Sequence, residues 1–288
     1  MEKCMVLVSS CDSYSDLWEP FFKILSAEWE EVNNYKIVLN TESKEFAYEN
    51  LKIICYRMFE GKRTAWGKRL IETLKRMDCK YVIFLLDDFF ITEKVDQKQI
   101  DKCIEYLEED DNIAYFSFVP VDDVNDIPSD KYPGFELRSP HGNWRLNTQA
   151  AVWRRDKLIE YVRPYESAWD WEIFGSERSQ RYTEEFYVQQ KECKRVFQYD
   201  NKWGGAIHRG KWTPSGVELC RKYNVNINFE ERGYEIEPPP YDKPLFPTKL
   251  KGIRRIFRPP FLKRMKIMLR MYLIEIPQKR ITRYKSLK

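Results

Sequence analysis

Four short apolar runs, each bounded by polar or turn-forming residues, constrain the fold of this chain more than any other feature. MVLVSS (5–10), KIVLN (36–40), LKIICY (51–56) and YVIFLL (81–86) have strand length and almost no polar alternation, the pattern of strands covered on both faces. Between and after them lie segments with helical spacing. LWEPFFKILSAEWEEV sets Leu17, Trp18, Phe21, Phe22, Ile24, Leu25 and Trp29 close to one stripe, and its Pro20 is compatible only with a first helical turn. TAWGKRLIETLKRM (64–77) collects Leu70, Ile71, Leu74 and Met77 on one side. QKQIDKCIEYLEED reads as another helix and NIAYFSFV (112–119) as another strand. This alternation predicts an α/β fold, with a mainly parallel central sheet and helices on both faces.

The second half is less regular. Residues 120–143 are rich in Pro, Asp and Gly and read as a long loop. LNTQAAVWRRDKLIEYV reads as strand then helix, 165–182 as an aromatic loop, and TEEFYVQQKEC as a helix. RVFQYD reads as a strand, KWGGAIHRGKW as a glycine-containing loop, and EPPPYDKPLFP as a boundary. A catalytic domain over 1–248 and a basic extension over 249–288 follow.

Charge separates these two parts. Residues 249–288 hold 14 Lys/Arg and one acid, Glu275, so the tail carries +13 and the rest, with 49 − 14 = 35 bases and 45 − 1 = 44 acids, carries −9. A basic tail on an acidic body argues against a nucleic-acid binder with charge spread over its body. FLKRMKIMLRMYLIEI (261–276) has apolar residues at 261, 262, 265, 268, 269, 272, 273 and 276, with Lys263, Lys266 and Arg270 opposite. That pattern predicts an interfacial helix on anionic lipid or a helix packed on the body. Mean hydropathy is −0.64, and no run approaches the roughly 18 apolar residues of a membrane span. Seven cysteines, with no C-x-x-C pair, read as reduced thiols of a cytosolic protein.

YVIFLL runs straight into Asp87 and Asp88. Ligands bind beyond the carboxyl ends of strands in sheets of this kind. Two acids there suit a divalent cation that keeps positions open for phosphate oxygens. A turn or helix cap would also use aspartates.

In the order of its elements the sequence resembles the GT-A class of nucleotide-sugar glycosyltransferases, nearest to small bacterial enzymes of capsule and lipopolysaccharide assembly. The resemblance spans about residues 4–215 and rests on VSSCDSYSDLW, RTAWGKRL, LLDDFF, NTQAAVWRRDKL, SAWDWE and HRGKW in that order. The family motif is Asp-x-Asp, and here its first position is Leu86. The resemblance implies a Rossmann-like GT-A fold and hexosyl or N-acetylhexosaminyl transfer with inversion. It also implies Mn2+ or Mg2+ on Asp88 and His208, with Asp87 at the ribose or metal-bound water. The donor would be a nucleotide-sugar, a UDP-sugar first among them. The acceptor would be a lipid-linked or free oligosaccharide, and the protein would sit on the inner face of the cell membrane.

Within that frame, ESAWDWEIFGSERS (166–179) offers Asp170 and Glu172 as the carboxylate that takes the acceptor's proton, beside tryptophans able to stack on sugar rings. His208, Arg209 and Lys211 in GGAIHRGKW would meet metal or diphosphate. Ser9, Cys11, Asp12, Tyr14, Thr41, Arg63, Trp66 and Arg69 are the candidate nucleotide contacts. Each has a structural alternative as turn, core or surface. A retaining transferase and a carbohydrate-binding protein built on the nine tryptophans are the rival readings.

Overall fold

The computed structural model describes residues 1–59, 62, 64–121, 125–200, 203–236 and 261–275. Arg63, the proline-rich boundary beyond residue 236 and most of the basic tail lie outside the described residues.

Nine strands form one sheet: β1 (Glu2–Ser9), β2 (Lys36–Thr41), β3 (Lys52–Arg57), β4 (Cys79–Leu86), β5 (Ile113–Ser117), β6 (Ile127–Pro128), β7 (Phe135–Leu137), β8 (Ala151–Arg154) and β9 (Glu185–Gln189). Their order is β3-β2-β1-β4-β8-β5-β9-β7-β6. β1 pairs parallel with β2 and β4, β2 with β3, and β5 with β9. β8 is antiparallel to β4 and β5, and β7 to β9 and β6. Strands β1–β6 and β9 therefore run one way and only β7 and β8 are reversed. The expected α/β fold with a mainly parallel central sheet is what the chain adopts.

The continuous apolar runs are explained by burial on both faces. Along β1, Val6 and Val8 join one core with α1 (Trp18–Glu28) and α3 (Gln97–Glu109). Met5 and Leu7 join the opposite core with α2 (Trp66–Arg76) and α4 (Arg155–Tyr161). With side chains alternating across the sheet and a helix layer on each side, no position is left for a polar residue until the strand ends. All seven cysteines are free thiols.

Five segments differ from their sequence reading, the first being 120–143, read as a loop, which contributes β6 and β7 to the sheet. TEEFYVQQKEC contains β9, which lies between β5 and β7 with all five residues buried; that position demands extended backbone and overrides helix-compatible composition. RVFQYD contributes only a bridge from Tyr199 to Ile91. KWGGAIHRGKW forms a hairpin of Ile207–His208 with Lys211–Trp212. The aromatic segment is helical over 168–179, with a π-turn at Trp171–Gly175. Its start is set by a capping box, in which Ser167 and Asp170 exchange hydrogen bonds with each other's backbone.

Candidate functional site

The register of the sheet sets the site. Ser9 lies beside Asn40 on one side and Leu86 on the other, so the residues after β1, β2 and β4 emerge together. The Ser10 hydroxyl donates to the Asp87 carboxylate and accepts the Trp18 indole N–H at 2.6 Å. Trp66, the first residue of α2, donates its indole N–H to Ser9 Oγ at 3.0 Å, and its ring centre lies 5.6 Å from that of Trp171. Thr41 is buried and its hydroxyl donates to the Lys44 carbonyl at 2.9 Å. Asn40 is fully buried, with neither side-chain atom bonded to any described residue.

Asp87 is buried, and Asp88 keeps its Oδ1 buried with no hydrogen-bond partner among the described residues. Burial first, and then the Asp88 charge, push the Asp87 carboxyl well above the ordinary carboxylate range. Burial likewise raises Asp88, against the pull of the Arg232 cation. Two adjacent acids in this setting resist carrying two charges and favour a proton or a cation between them. Their surroundings support this. Tyr14 is raised by burial and then by the Asp88 charge, and the Arg232 guanidinium lies 4.5 Å over the Tyr14 ring. Arg232 is itself anchored on both Asp16 oxygens and donates to the Ser13 carbonyl at 2.7 Å.

A second cluster stiffens the loop after β2. Asp12 accepts from the amides of Glu42 (2.9 Å) and Ser43 (3.0 Å) and from the Ser43 hydroxyl, while its own amide donates to Glu42. Glu42 pairs with Arg69, which also donates to the Ser10 carbonyl at 3.0 Å. Asp12 and Arg69 thus hold protein, and bear on a ligand through the shape of the loops they join. Cys11 lies 3.1 Å from the Ser13 hydroxyl.

The late loop is fastened to the acid pair by backbone. The Ala206 amide donates to the Asp88 carbonyl at 2.7 Å, and a Cβ on Gly205, whose φ is +113°, would sit 2.7 Å from that oxygen. Only glycine permits both the close approach and the dihedral. His208 follows two residues later, with Nδ1 3.0 Å from a Glu235 carboxylate oxygen. Arg209 turns the hairpin at φ +52°, and it and Lys211 are exposed. Glu235 and Arg232 share one segment, tied to Trp212 by two backbone hydrogen bonds, from the Trp212 amide to the Gly233 carbonyl and from the Glu235 amide to the Trp212 carbonyl. Among the described residues, no group of three or more His, Cys, Asp or Glu side chains could hold a metal by itself.

The two candidate base residues have different neighbours. Glu172 is buried, and one of its carboxylate oxygens accepts from the Thr148 amide (2.8 Å) and hydroxyl (2.7 Å). Asp170 faces the tail helix (Phe261–Arg270): Lys263 Nζ is 2.8 Å and Arg264 Nε 3.5 Å from its carboxylate oxygens. Burial alone would raise the Asp170 carboxyl, but Lys263 and the Ser167 cap outweigh it and hold it below the usual range. Beneath both, Arg178 grips Glu166 through two bonds, 2.6 and 2.9 Å, fully buried.

Six of the nine tryptophans are buried: Trp18, Trp29, Trp153, Trp171, Trp203 and Trp212. They are core, which removes the main support for a binding protein built on a tryptophan surface. Sequence reasoning missed Ser10, Trp18, Glu42, Arg232 and Glu235. Ser10 and Glu42 adjoin residues already singled out. Arg232 and Glu235 carry no local signal, because the contacts that matter span more than 200 residues for Arg232 and a hairpin for Glu235.

No family model matches the sequence, and no curated protein does. Among solved structures, residues 1–349 of S. aureus TarS are 12% identical over 80% of this chain and 68% of that one, with a TM-score of 0.45. The chain spans 41% of a longer TarS structure. The same TarS fragment in complex with UDP gives 11% identity over 81% and 68%, with a TM-score of 0.43. The mannosyltransferase PcManGT from Pyrobaculum calidifontis, in complex with GDP-Man and Mn2+, gives 12% over 94% and 75%, with a TM-score of 0.44. These are distant likenesses, and the chemistry of this chain is read from its own site.

Proposed function

We propose that this chain is a nucleotide-sugar-dependent glycosyltransferase. The observation that carries the reading is the Asp87–Asp88 pair at the carboxyl end of β4, beside the ends of β1 and β2, with Asp87 buried and one Asp88 oxygen buried and without a partner among the described residues. Such a crevice is where an open α/β sheet takes a nucleotide.

The residues present fit a divalent cation in one respect: two close carboxylates, both favouring a positive neighbour, with one oxygen buried and unused. Asp88 and Asp87 would hold Mn2+ or Mg2+, with substrate phosphates completing the shell, and the ion would supply charge neutralisation at the departing diphosphate. The chain's own residues do the rest. Ser9, Trp66 and the loop at Thr41–Lys44 shape the nucleoside side, and buried Asn40 and Tyr14 border it. Arg232, with Lys211 and Arg209 on the hairpin, faces the phosphates as fixed positive charge.

Glu172 is the better candidate for the general base. It is buried beside Trp171, and the Thr148 bonds orient it. Asp170 is engaged by Lys263 and by its own cap, so it would position the segment. Proton transfer from an acceptor hydroxyl to Glu172 fits inversion. The acceptor we favour is a lipid-linked oligosaccharide of surface-polysaccharide assembly, met at the cytoplasmic face of an anionic membrane by the basic tail.

The test is differential scanning fluorimetry followed by transfer assays, with UDP-sugars and GDP-mannose as first donors, with and without Mn2+. The expected outcome is a Mn2+-dependent stabilisation by nucleotide that Asp88→Ala removes, with transfer lost and the melting cooperative. A fully active Asp88→Ala enzyme would overturn the site. Retention of full transfer by Glu172→Gln would move the reading to a retaining mechanism, which needs no base there.

A further inference from the structure

The tail helix and its continuation through Met271–Glu275 are apolar on two opposite sides. Ile267 and Met271 are buried in a small core with Phe174, against Tyr165, Ile173 and Met268. Polar contacts reinforce the seat: Lys263 and Arg264 on Asp170, Arg270 at 4.9 Å over the Tyr165 ring, and the Tyr272 hydroxyl 3.4 Å from Glu177. The docking stripe is not the one that the sequence pattern singles out. At about 3.6 residues per turn, Leu262, Met265, Leu269, Tyr272 and Leu273 fall on the side away from Ile267 and Met271. Leu262, Leu269, Tyr272 and Leu273 are between 46% and 72% exposed. Trp169, next to the Asp170 that anchors the helix, is 69% exposed.

Large exposed apolar residues in one stripe require a partner phase. Charge selects it. Lys266, exposed, borders the stripe, while Lys263 and Arg270 on the same edge are drawn to Asp170 and Tyr165 of the body, and the sequence of 249–288 carries 14 bases to one acid. Basic residues bordering an apolar helical face suit an anionic lipid surface, with the apolar side chains at the acyl boundary and the cations at the headgroups. Among the described residues no helix is long and apolar enough to cross a membrane, so the arrangement is one of lying on the surface.

We infer that the outward face formed by Leu262, Leu269 and Leu273 docks on an anionic bilayer while Ile267 and Met271 keep the helix seated on the body. The tail then works as a fixed bracket, and it holds the Trp169–Glu172 segment at the lipid surface. The docking itself needs no sugar transfer. Only the meaning of the placement, presentation of a lipid-linked acceptor to Glu172, rests on the glycosyltransferase reading.

The experiment is co-sedimentation of the full chain with vesicles of phosphatidylcholine alone or with phosphatidylglycerol, without nucleotide, paired with hydrogen exchange of residues 165–177. Wild-type protein is expected to bind the anionic vesicles about tenfold more tightly than the neutral ones. Leu269→Glu/Leu273→Glu should lose about tenfold of that binding with an unchanged melting temperature, since both positions are exposed. Amides of 165–177 should stay as protected on vesicles as in solution. Three results would overturn the inference: no preference for anionic vesicles, full binding by the double variant, or loss of protection at 165–177 on vesicles, which would mean that the helix lifts off. Light scattering that shows a dimer dissolved by the double variant would assign the face to a second copy instead. Vesicle binding without nucleotide binding would keep this inference and sink the glycosyltransferase reading.

Discussion

Gly67→Ala sets two physical effects against each other. Gly67 is the second residue of α2, and helix propensity alone predicts that alanine stabilises there by up to about 1 kcal/mol. The tertiary structure predicts the reverse. A Cβ on Gly67 would lie 2.1 Å from the Arg163 carbonyl oxygen and 3.2 Å from that of Glu166, both backbone atoms that cannot swing aside. The Gly67 amide also donates to the Glu166 carbonyl at 2.9 Å. Relief requires α2 to back away from the 163–166 loop. Overpacking of this kind costs about 1–3 kcal/mol, and loss of the hydrogen bond costs roughly another 0.5–1.5 kcal/mol. Net of the propensity gain, we expect a loss of about 2 kcal/mol. That corresponds to a fall of roughly 3 °C in Tm for a chain of this size. Urea denaturation should show a lower midpoint at unchanged slope. Because Trp66 precedes Gly67 and bridges Ser9 to Trp171, the near-ultraviolet circular dichroism should change and nucleotide affinity should fall. A Gly67→Ala protein as stable as wild type, or more so, would refute the reasoning and show that the α2–loop contact yields freely.

Two other sites give sharp expectations. Arg232→Gln, which removes the guanidinium held over Tyr14 by Asp16, should weaken nucleoside diphosphate binding about tenfold, or about 1.4 kcal/mol, while leaving nucleoside binding alone. Isothermal titration with UDP and uridine checks this, and equal losses for both would remove Arg232 from the phosphate side. Asp110 supplies a pH test remote from the site. Burial opposes its ionisation, but Lys131 at 2.8 Å and two bonds from Asn112 at 3.0 Å prevail and lower it to about 2. A depressed carboxylate stabilises the fold above the unfolded value of about 3.9, and this is lost as pH falls toward 2. Asp110→Asn should therefore cost about 1–2 kcal/mol near neutral pH and nothing at the acid end of that window, read as urea midpoints across pH. A cost that does not shrink on acidification would point to packing as its origin.

Much of the frame was legible in the chain itself. Runs such as MVLVSS and YVIFLL announce strands buried on both faces, because side chains that alternate between two helix-covered surfaces must all be apolar. The end of such a run fixes where polar groups first emerge, which is why Asp87 and Asp88 can be placed at the carboxyl end of a strand from the run itself, while Ser9 and Thr41 are named through the family resemblance. The bipartite charge of body and tail, and the amphipathic pattern of 261–276, are likewise local properties. What remained hidden depends on which segments meet. TEEFYVQQKEC became a central strand because a gap between β5 and β7 required one. Asp170 met Lys263 across 93 residues, which made it an anchor of the tail helix. Arg232 reached Asp16 across 216 residues and brought a cation to the acid pair. The outward face of the tail helix became unambiguous only once Ile267 and Met271 were seen in their seat, since periodicity shows that a helix has apolar sides and only packing decides which of them is covered.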